Sequence, residues 1–275
     1  MSLLRVEGLG KKFGGLNAVE DLSFDIRPGA VYSIIGPNGA GKTTVLNLLT
    51  GVYRPSAGRV VFDGHDLTGR APHEYARQGI ARTFQNLQVF FNMSALENVM
   101  VGRHLHERCG LVSTLLRSRR VARAEDACRE EAAELMRYVG LQNYLSAAAD
   151  AMPYGALKRL EIARALATKP KLMLLDEPAA GLNPTEALEL DGLIGRLTER
   201  GVTVVLVEHN MRLVMGVSDH ILVLDYGRKL AEGPAMTIRN DPKVIEAYLG
   251  SAVAHDGSYG NEIAGAVAVA VEMHR

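Results

Sequence analysis

Cysteine is almost absent from the 275 residues: only Cys109 and Cys128 occur, and neither sits in a CxxC pair. That argues against a zinc ribbon or a dithiol redox motif and points to two reduced thiols in a cytosolic protein. An excess of one charge is also missing. Lys plus Arg and Asp plus Glu number 31 each, without the basic surplus that broad nucleic-acid binding needs. No long hydrophobic run exists. The longest uncharged apolar stretch, residues 264–271, is far too short to cross a bilayer. Residues 1–30 lack the basic start and apolar core of a signal peptide. Work at a membrane is therefore expected to go through a partner. No internal repeat is visible. What the chain does have, 47% hydrophobic and 23% charged residues, can build a sizeable core without disulfides or structural metal.

The order of elements reads as α/β. Residues 4–9, 18–26 and 31–35 are β-rich runs bounded by Gly or Pro. The third runs into a glycine turn and an apolar helix over 42–50. Residues 58–62 form another strand, followed by the turn signal Asp63-Gly64. Residues 94–150 are helical in pattern. Val121, Ala124, Cys128, Ala132, Leu135 and Val139 make an apolar stripe that Gly140 stops, with Cys128 as a core residue. The α/β rhythm resumes with strands over 171–175, 202–207 and 221–224. Between the first two lies a helix capped by Asn183, with Pro184 first, Glu186 three residues after the cap, and Leu190, Leu193, Ile194 and Leu197 on its apolar face. Alternating strands and helices predict a mostly parallel sheet covered on both faces. Residues 251–275 read as a loosely ordered tail.

Three motifs carry chemistry. Gly36-Pro37-Asn38-Gly39-Ala40-Gly41-Lys42-Thr43 fits GxxxxGK[ST], between a strand and a helix. The glycines let backbone N–H groups turn toward phosphates, Lys42 sets a positive charge on them, and the Thr43 hydroxyl, with Thr44 beside it, faces Mg²⁺. A buried strand then ends in Asp176 and Glu177. Asp176 would bind the metal, directly or through water, and Glu177 would take a proton from the attacking water. Taken alone, two acids at a strand end also describe a solvated turn. His209 follows another strand and would orient the γ-phosphate and water, although a lone histidine is more often structural. Gln85, after Arg82-Thr83-Phe84, is a candidate contact to Mg²⁺ and water, and by itself a weak signal.

These motifs, in this order, resemble the ABC-transporter nucleotide-binding subunit over roughly residues 3–250. The resemblance implies a P-loop NTPase fold: a mostly parallel core sheet, an N-terminal antiparallel β subdomain and a helical subdomain over about 90–165. It also implies ATP and Mg²⁺ as cofactors. It gives Phe13 the adenine-stacking position, though core packing in an edge hairpin accounts for it equally. It makes Gln85 the glutamine-loop residue, Asp176 the metal acid, Glu177 the catalytic glutamate and His209 the switch histidine. The family's loop after the catalytic acid often ends in Asp, where this chain has Asn183, which the helix cap already explains.

The signature, typically Leu-Ser-Gly-Gly-Gln, appears as Met152-Pro153-Tyr154-Gly155-Ala156. In the family this segment and the helix behind it hold the γ-phosphate bound to the opposite subunit. Pro153 removes the serine hydroxyl and Ala156 the glutamine side chain, while Gly155 keeps room for close backbone approach. A second ATPase subunit is therefore expected, as a heterodimer with unequal sites, with a homodimer still open.

The segments 159–164, 176–184, 208–215 and 238–250 look like the branched-chain amino acid importer group. The insert over 102–124, with Arg117, Arg119 and Arg120, resembles the longer of its two ATPase subunits, although such arginines also fit a solvated face. The implied partners are two membrane-spanning permease subunits and, indirectly, an extracytoplasmic solute-binding protein. The implied location is the cytoplasmic face of the membrane, peripherally attached. Other solutes within the transporter class, urea or short amides and exported lipids, stay open. A soluble ABC ATPase on DNA or ribosomes is disfavoured by single motif copies and the lack of heptads. An ATP-binding regulatory module is disfavoured by Glu177 and His209.

Overall fold

The computed structural model describes residues 2–104 and 119–254. An antiparallel sheet is built entirely within residues 4–66. Strands β1 (Leu4–Phe13) and β2 (Leu16–Ile26) pair across a two-residue turn, and β4 (Ala57–Phe62) pairs β1 on the other side. Asp63 and Gly64, with φ of 48° and 78°, turn β4 into the short β5 (His65–Asp66), the backbone that an Asp-Gly pair favours. The strand order is β2-β1-β4-β5.

The second sheet has the order β10-β9-β3-β8-β7-β6. Its strands are β3 (Val31–Ile35), β6 (Ile80–Arg82), β7 (Leu172–Asp176), β8 (Thr203–Val207), β9 (His220–Asp225) and β10 (Arg228–Gly233). All neighbours are parallel except β10, which hairpins back on β9. β3, β7 and β8 are buried at every position, which is why they are mostly apolar on both faces, with Ser33, Asp176 and Thr203 the exceptions. The pleat divides β7 between two cores. Leu172 and Leu174 face the antiparallel sheet and helix α1 (Lys42–Leu49), which supplies Val45, Leu46, Leu48 and Leu49. Met173 and Leu175 face the helices of the other layer.

That layer contains α3 (Ala95–Arg103), α4 (Arg119–Tyr138), α5 (Tyr154–Ala167) and α6 (Pro184–Glu199), after the short α2 (Pro72–Gln78). Helices α7 (Met211–Val217), α8 (Ala235–Arg239) and α9 (Pro242–Ala254) complete the described chain.

Several expectations shift. The described part of 94–150 is mostly helical, as its pattern implies, with α3 and α4 followed by two single 3₁₀ turns, Gln142–Tyr144 and Ala149–Ala151. The expected apolar stripe is buried from Cys128 onward, but Ala124 is exposed, because the early part of α4 extends past the core. Gly140 ends the segment with φ of 80°. Helix α9 continues through Ala254, past residue 251, the expected start of the tail. Residues 255–275, Cys109, Arg117 and most of the arginine-bearing insert lie outside the described residues.

Candidate active site

The phosphate loop lies between β3 and α1. Gly36, Gly39 and Gly41 all have positive φ. A β-carbon on Gly36 would sit 2.1 Å from the Leu224 carbonyl oxygen, and one on Gly41 2.6 Å from that of Ala18, so side chains are excluded on space as well as conformation. Helix α1 starts with no side chain capping its N-terminus and no acid in its first turn. Its orphan N–H groups and dipole therefore suit an anion.

Lys42 is buried, and its ammonium donates to the carbonyl oxygens of Gly36, at 2.7 Å, and Pro37, at 3.0 Å. Burial pulls its pKa below the ordinary lysine value, opposed by the charges of Glu177 and Asp176. The cation and the two acids thus share one field. Thr43 is exposed and Thr44 half-buried on the first turn of α1. Asn38 is exposed in the loop.

β7 delivers Asp176 and Glu177 to the same edge. Glu177 adopts φ of 47°, held by its N–H donating to the Val207 carbonyl of β8 at 2.8 Å. Its carboxylate is the meeting point of the site. Gln85 Nε2 donates to Glu177 Oε2 at 2.8 Å, and His209 Nε2 lies 2.6 Å from Glu177 Oε1. Two residues from distant segments therefore converge on one acid. Thr43, Asp176 and Gln85 offer only oxygen donors to a metal, through hydroxyl, carboxylate and carboxamide, a set that suits Mg²⁺.

Other expected residues stand apart from this cluster. Phe13 ends β1 with its ring half-exposed and edge-on to Tyr53 at 5.2 Å, with Lys11 Nζ 5.0 Å from its centroid. Pro153 is the N-cap of α5, and Gly155 is buried in that helix's first turn. What comes close to Gly155 is the Glu186 carboxylate: a β-carbon there would lie 2.3 Å from Glu186 Oε1. The same Glu186 completes a capping box with Asn183, whose side chain accepts from the Glu186 N–H at 2.9 Å. The signature segment and the loop after Glu177 therefore pack against each other within one subunit.

Four residues with structural roles here escaped the sequence. Arg82 forms a buried ion pair with Asp176 at 2.8 Å and donates to Asn47 Oδ1 at 2.6 Å, while its Nε has no partner. Glu208 accepts from the N–H groups of Ala179 at 2.7 Å and His209 at 3.0 Å, joining the loop after Glu177 to the one bearing His209. Burial pushes its pKa up against those bonds. Lys158 and Glu161 of α5 bond the backbone around Gln85. Glu208 adjoins His209 in sequence, which was a usable signal. For the others only a tertiary contact gives the role.

The match to known proteins agrees with this arrangement. The ABC transporter family model covers residues 19–180. The chain belongs to the ABC transporter family. A second model, for branched-chain amino acid ATP-binding cassette transporters, matches residues 228–254 of this ABC ATPase, which hold β10, α8 and α9. The high-affinity branched-chain amino acid transport ATP-binding protein BraF of Pseudomonas aeruginosa is 45% identical over 251 residues, 91% of this chain and 98% of that protein. The solved ADP conformation of MJ1267, an ATP-binding cassette of an ABC transporter, is 34% identical with a TM-score of 0.79, covering 91% of this chain and 99% of that one. The dimeric post-hydrolysis state of the cassette MJ0796, bound to ADP and Pi, is 25% identical with a TM-score of 0.72, covering 84% and 98%. No helix among the described residues is long and apolar enough to cross a membrane.

Proposed function

We propose that this ABC ATPase drives import of the branched-chain amino acids leucine, isoleucine and valine through partner membrane subunits. The observation that carries the catalytic part is the Glu177 carboxylate, reached at once by Gln85 and His209. In this reading Glu177 takes a proton from the water that attacks ATP, and His209 and Gln85 orient that water. Lys42 and the backbone N–H groups from Gly36 to Thr44 hold the phosphates, while Phe13 stacks on adenine. Mg²⁺, held by Thr43, Asp176 and Gln85, would neutralise charge on the phosphate oxygens. Residues 1–250 act as one nucleotide-binding domain, with the helical subdomain over about 90–165.

A second ATPase subunit would pair head to tail with this one, so that Pro153 and Gly155 face the partner's ATP. The depleted signature favours a heterodimer whose two sites differ, the one using this chain's Lys42 and Glu177 hydrolysing faster. Two permease subunits would dock on the groove of about 560 Å³ beside the glutamine loop, which Phe84, Leu87, Phe90 and Val101 help line. In this reading the chain works peripherally at the cytoplasmic face of the membrane, with the extracytoplasmic binding protein engaged only indirectly. Closing on two ATP molecules and opening after hydrolysis would alternate access for the solute.

Uptake of labelled leucine by cells whose only copy is wild type or Glu177→Gln tests the reading. Lost leucine uptake with unchanged urea uptake supports it, and unchanged leucine uptake refutes the solute assignment.

A further inference from the structure

The loop from Thr83 to Phe90 carries Gln85 from the core sheet to the helical layer. Its start is fixed to the sheet, where the Thr83 N–H donates to the Leu174 carbonyl at 2.9 Å. Beyond that point Phe84, Gln85 and Gln88 are exposed, while Leu87 and Val89 are partly buried against the core of the helical layer. Its backbone polar groups are held by three buried polar side chains on two helices. Lys158 Nζ donates to the Gln85 carbonyl at 3.0 Å. Glu161 Oε1 accepts from the Gln88 N–H at 2.6 Å. Asn98 of α3 accepts from the Phe90 N–H at 2.9 Å and donates to the Phe90 carbonyl at 3.0 Å. Lys158, Glu161 and Asn98 are 4%, 3% and 1% exposed.

Burying charged groups is costly unless bonds compensate, and here compensation is partial. Arg164 Nη2 is 3.8 Å from Glu161 Oε1, and Glu161 Oε2 has no partner. A core position on α5 would be cheaper to fill with an apolar residue. What Lys158 and Glu161 add is a grip on backbone groups, which does not depend on the loop's own side chains.

We propose that Lys158 and Glu161 are positioning residues for hydrolysis, holding the Gln85 side chain at Glu177 by fastening the glutamine loop to α5. Lys158 fixes the carbonyl of Gln85 itself, and Glu161 fixes the chain three residues on, at Gln88. Because α5 also begins with the signature segment, the same two bonds tie the residue that contacts Glu177 to the segment that faces the other subunit. The inference rests on the catalytic reading of Glu177 and Gln85, and the test separates the two.

The test is steady-state ATP hydrolysis by the full-length chain, in a double-mutant cycle of Glu161→Ala with Gln85→Ala, beside binding of a fluorescent ATP analogue. Losing a buried charged hydrogen bond should lower kcat about ten-fold in Glu161→Ala while analogue affinity holds. Glu161→Gln keeps an acceptor oxygen for the Gln88 N–H and should restore most of the rate. In the Gln85→Ala background, Glu161→Ala should cost less than about two-fold further. An equal loss in both backgrounds, or none in either, overturns the proposal. If Gln85→Ala alone leaves kcat unchanged, the catalytic reading of Gln85 fails first, and the inference with it. Should Glu161→Ala fold poorly, Lys158→Met in the same cycle gives the same two outcomes.

Discussion

Removing Arg82 should destabilise this protein far more than an ordinary surface charge would. Its guanidinium lies 2.8 Å from Asp176 Oδ2, and the two side chains are only 6% and 5% exposed. The other end of the fork donates to Asn47 Oδ1 at 2.6 Å and to Thr50 Oγ1 at 3.4 Å, tying the end of β6 to α1. Arg82→Met keeps much of the stem's volume but leaves the Asp176 carboxylate inside the protein without the counter-ion that hydrogen-bonds it. Breaking a buried pair from one side costs about 3–5 kcal/mol. That is a large part of a typical native stability of roughly 5–15 kcal/mol. At about 2–4 °C per kcal/mol for a domain of this size, the midpoint should fall by about 6–20 °C. Arg82→Met combined with Asp176→Asn removes both charges and should recover most of the loss. Nucleotide-free urea titration and a thermal scan of the three variants against wild type measure this. A loss below about 1 kcal/mol, the value of an exposed pair, would refute the reasoning. So would a double variant no more stable than Arg82→Met alone.

Three further outcomes are expected. Glu177→Gln should lower kcat by about 10²–10⁴-fold with nucleotide affinity retained, read by phosphate release and analogue binding; hydrolysis at the wild-type rate would remove Glu177 from the base role. Asn183→Ala should cost about 0.5–2 kcal/mol through the lost cap on α6, while Asn183→Asp should keep it; equal urea midpoints for the two would contradict the capping account. Burial pushes the Glu161 carboxyl above its ordinary value of 4.5, against the Gln88 N–H, Lys158 and Arg164. The folded state therefore binds that proton more tightly, so the contribution is complete below 4.5 and lost as pH rises through the folded pKa. Glu161→Gln lacks this loss, and its urea stability relative to wild type should increase between about pH 4 and pH 7; a constant difference would oppose the assigned direction.

The contact of Glu186 with Gly155 changes how the altered signature is understood. Pro153 and Ala156 look like losses when the segment is compared with the family pattern. In the structure the segment is also an internal joint, where Gly155 admits the carboxylate that caps α6. Tyr154 lies against Gly181 in the same joint: a β-carbon at Gly181 would be 3.0 Å from the Tyr154 ring. A side chain at Gly155 would therefore disturb the loop after Glu177 as well as any approach from outside.

Local rules in the sequence determined a good deal of this protein. The glycine pattern fixed the phosphate loop, because positive φ and close backbone approach leave few alternatives. Largely apolar runs identified β7 and β8 as buried strands, because a strand buried on both faces shows no polar alternation. Asn183, Pro184 and Glu186 marked the start of α6, since a capping box is complete within four residues. The end of α4 was legible from Gly140, but its exposed beginning was not, because periodicity reports a face and not whether anything covers it. The tertiary structure alone decided which residues meet. Gln85 and His209 lie 92 and 32 residues from Glu177 along the chain, and only the order of β6, β7 and β8 brings the three to one edge. Arg82, Lys158 and Glu161 read as ordinary charged positions until the fold buried them. A charge acquires a role when its water is replaced by one particular neighbour, and no local pattern states which neighbour that is.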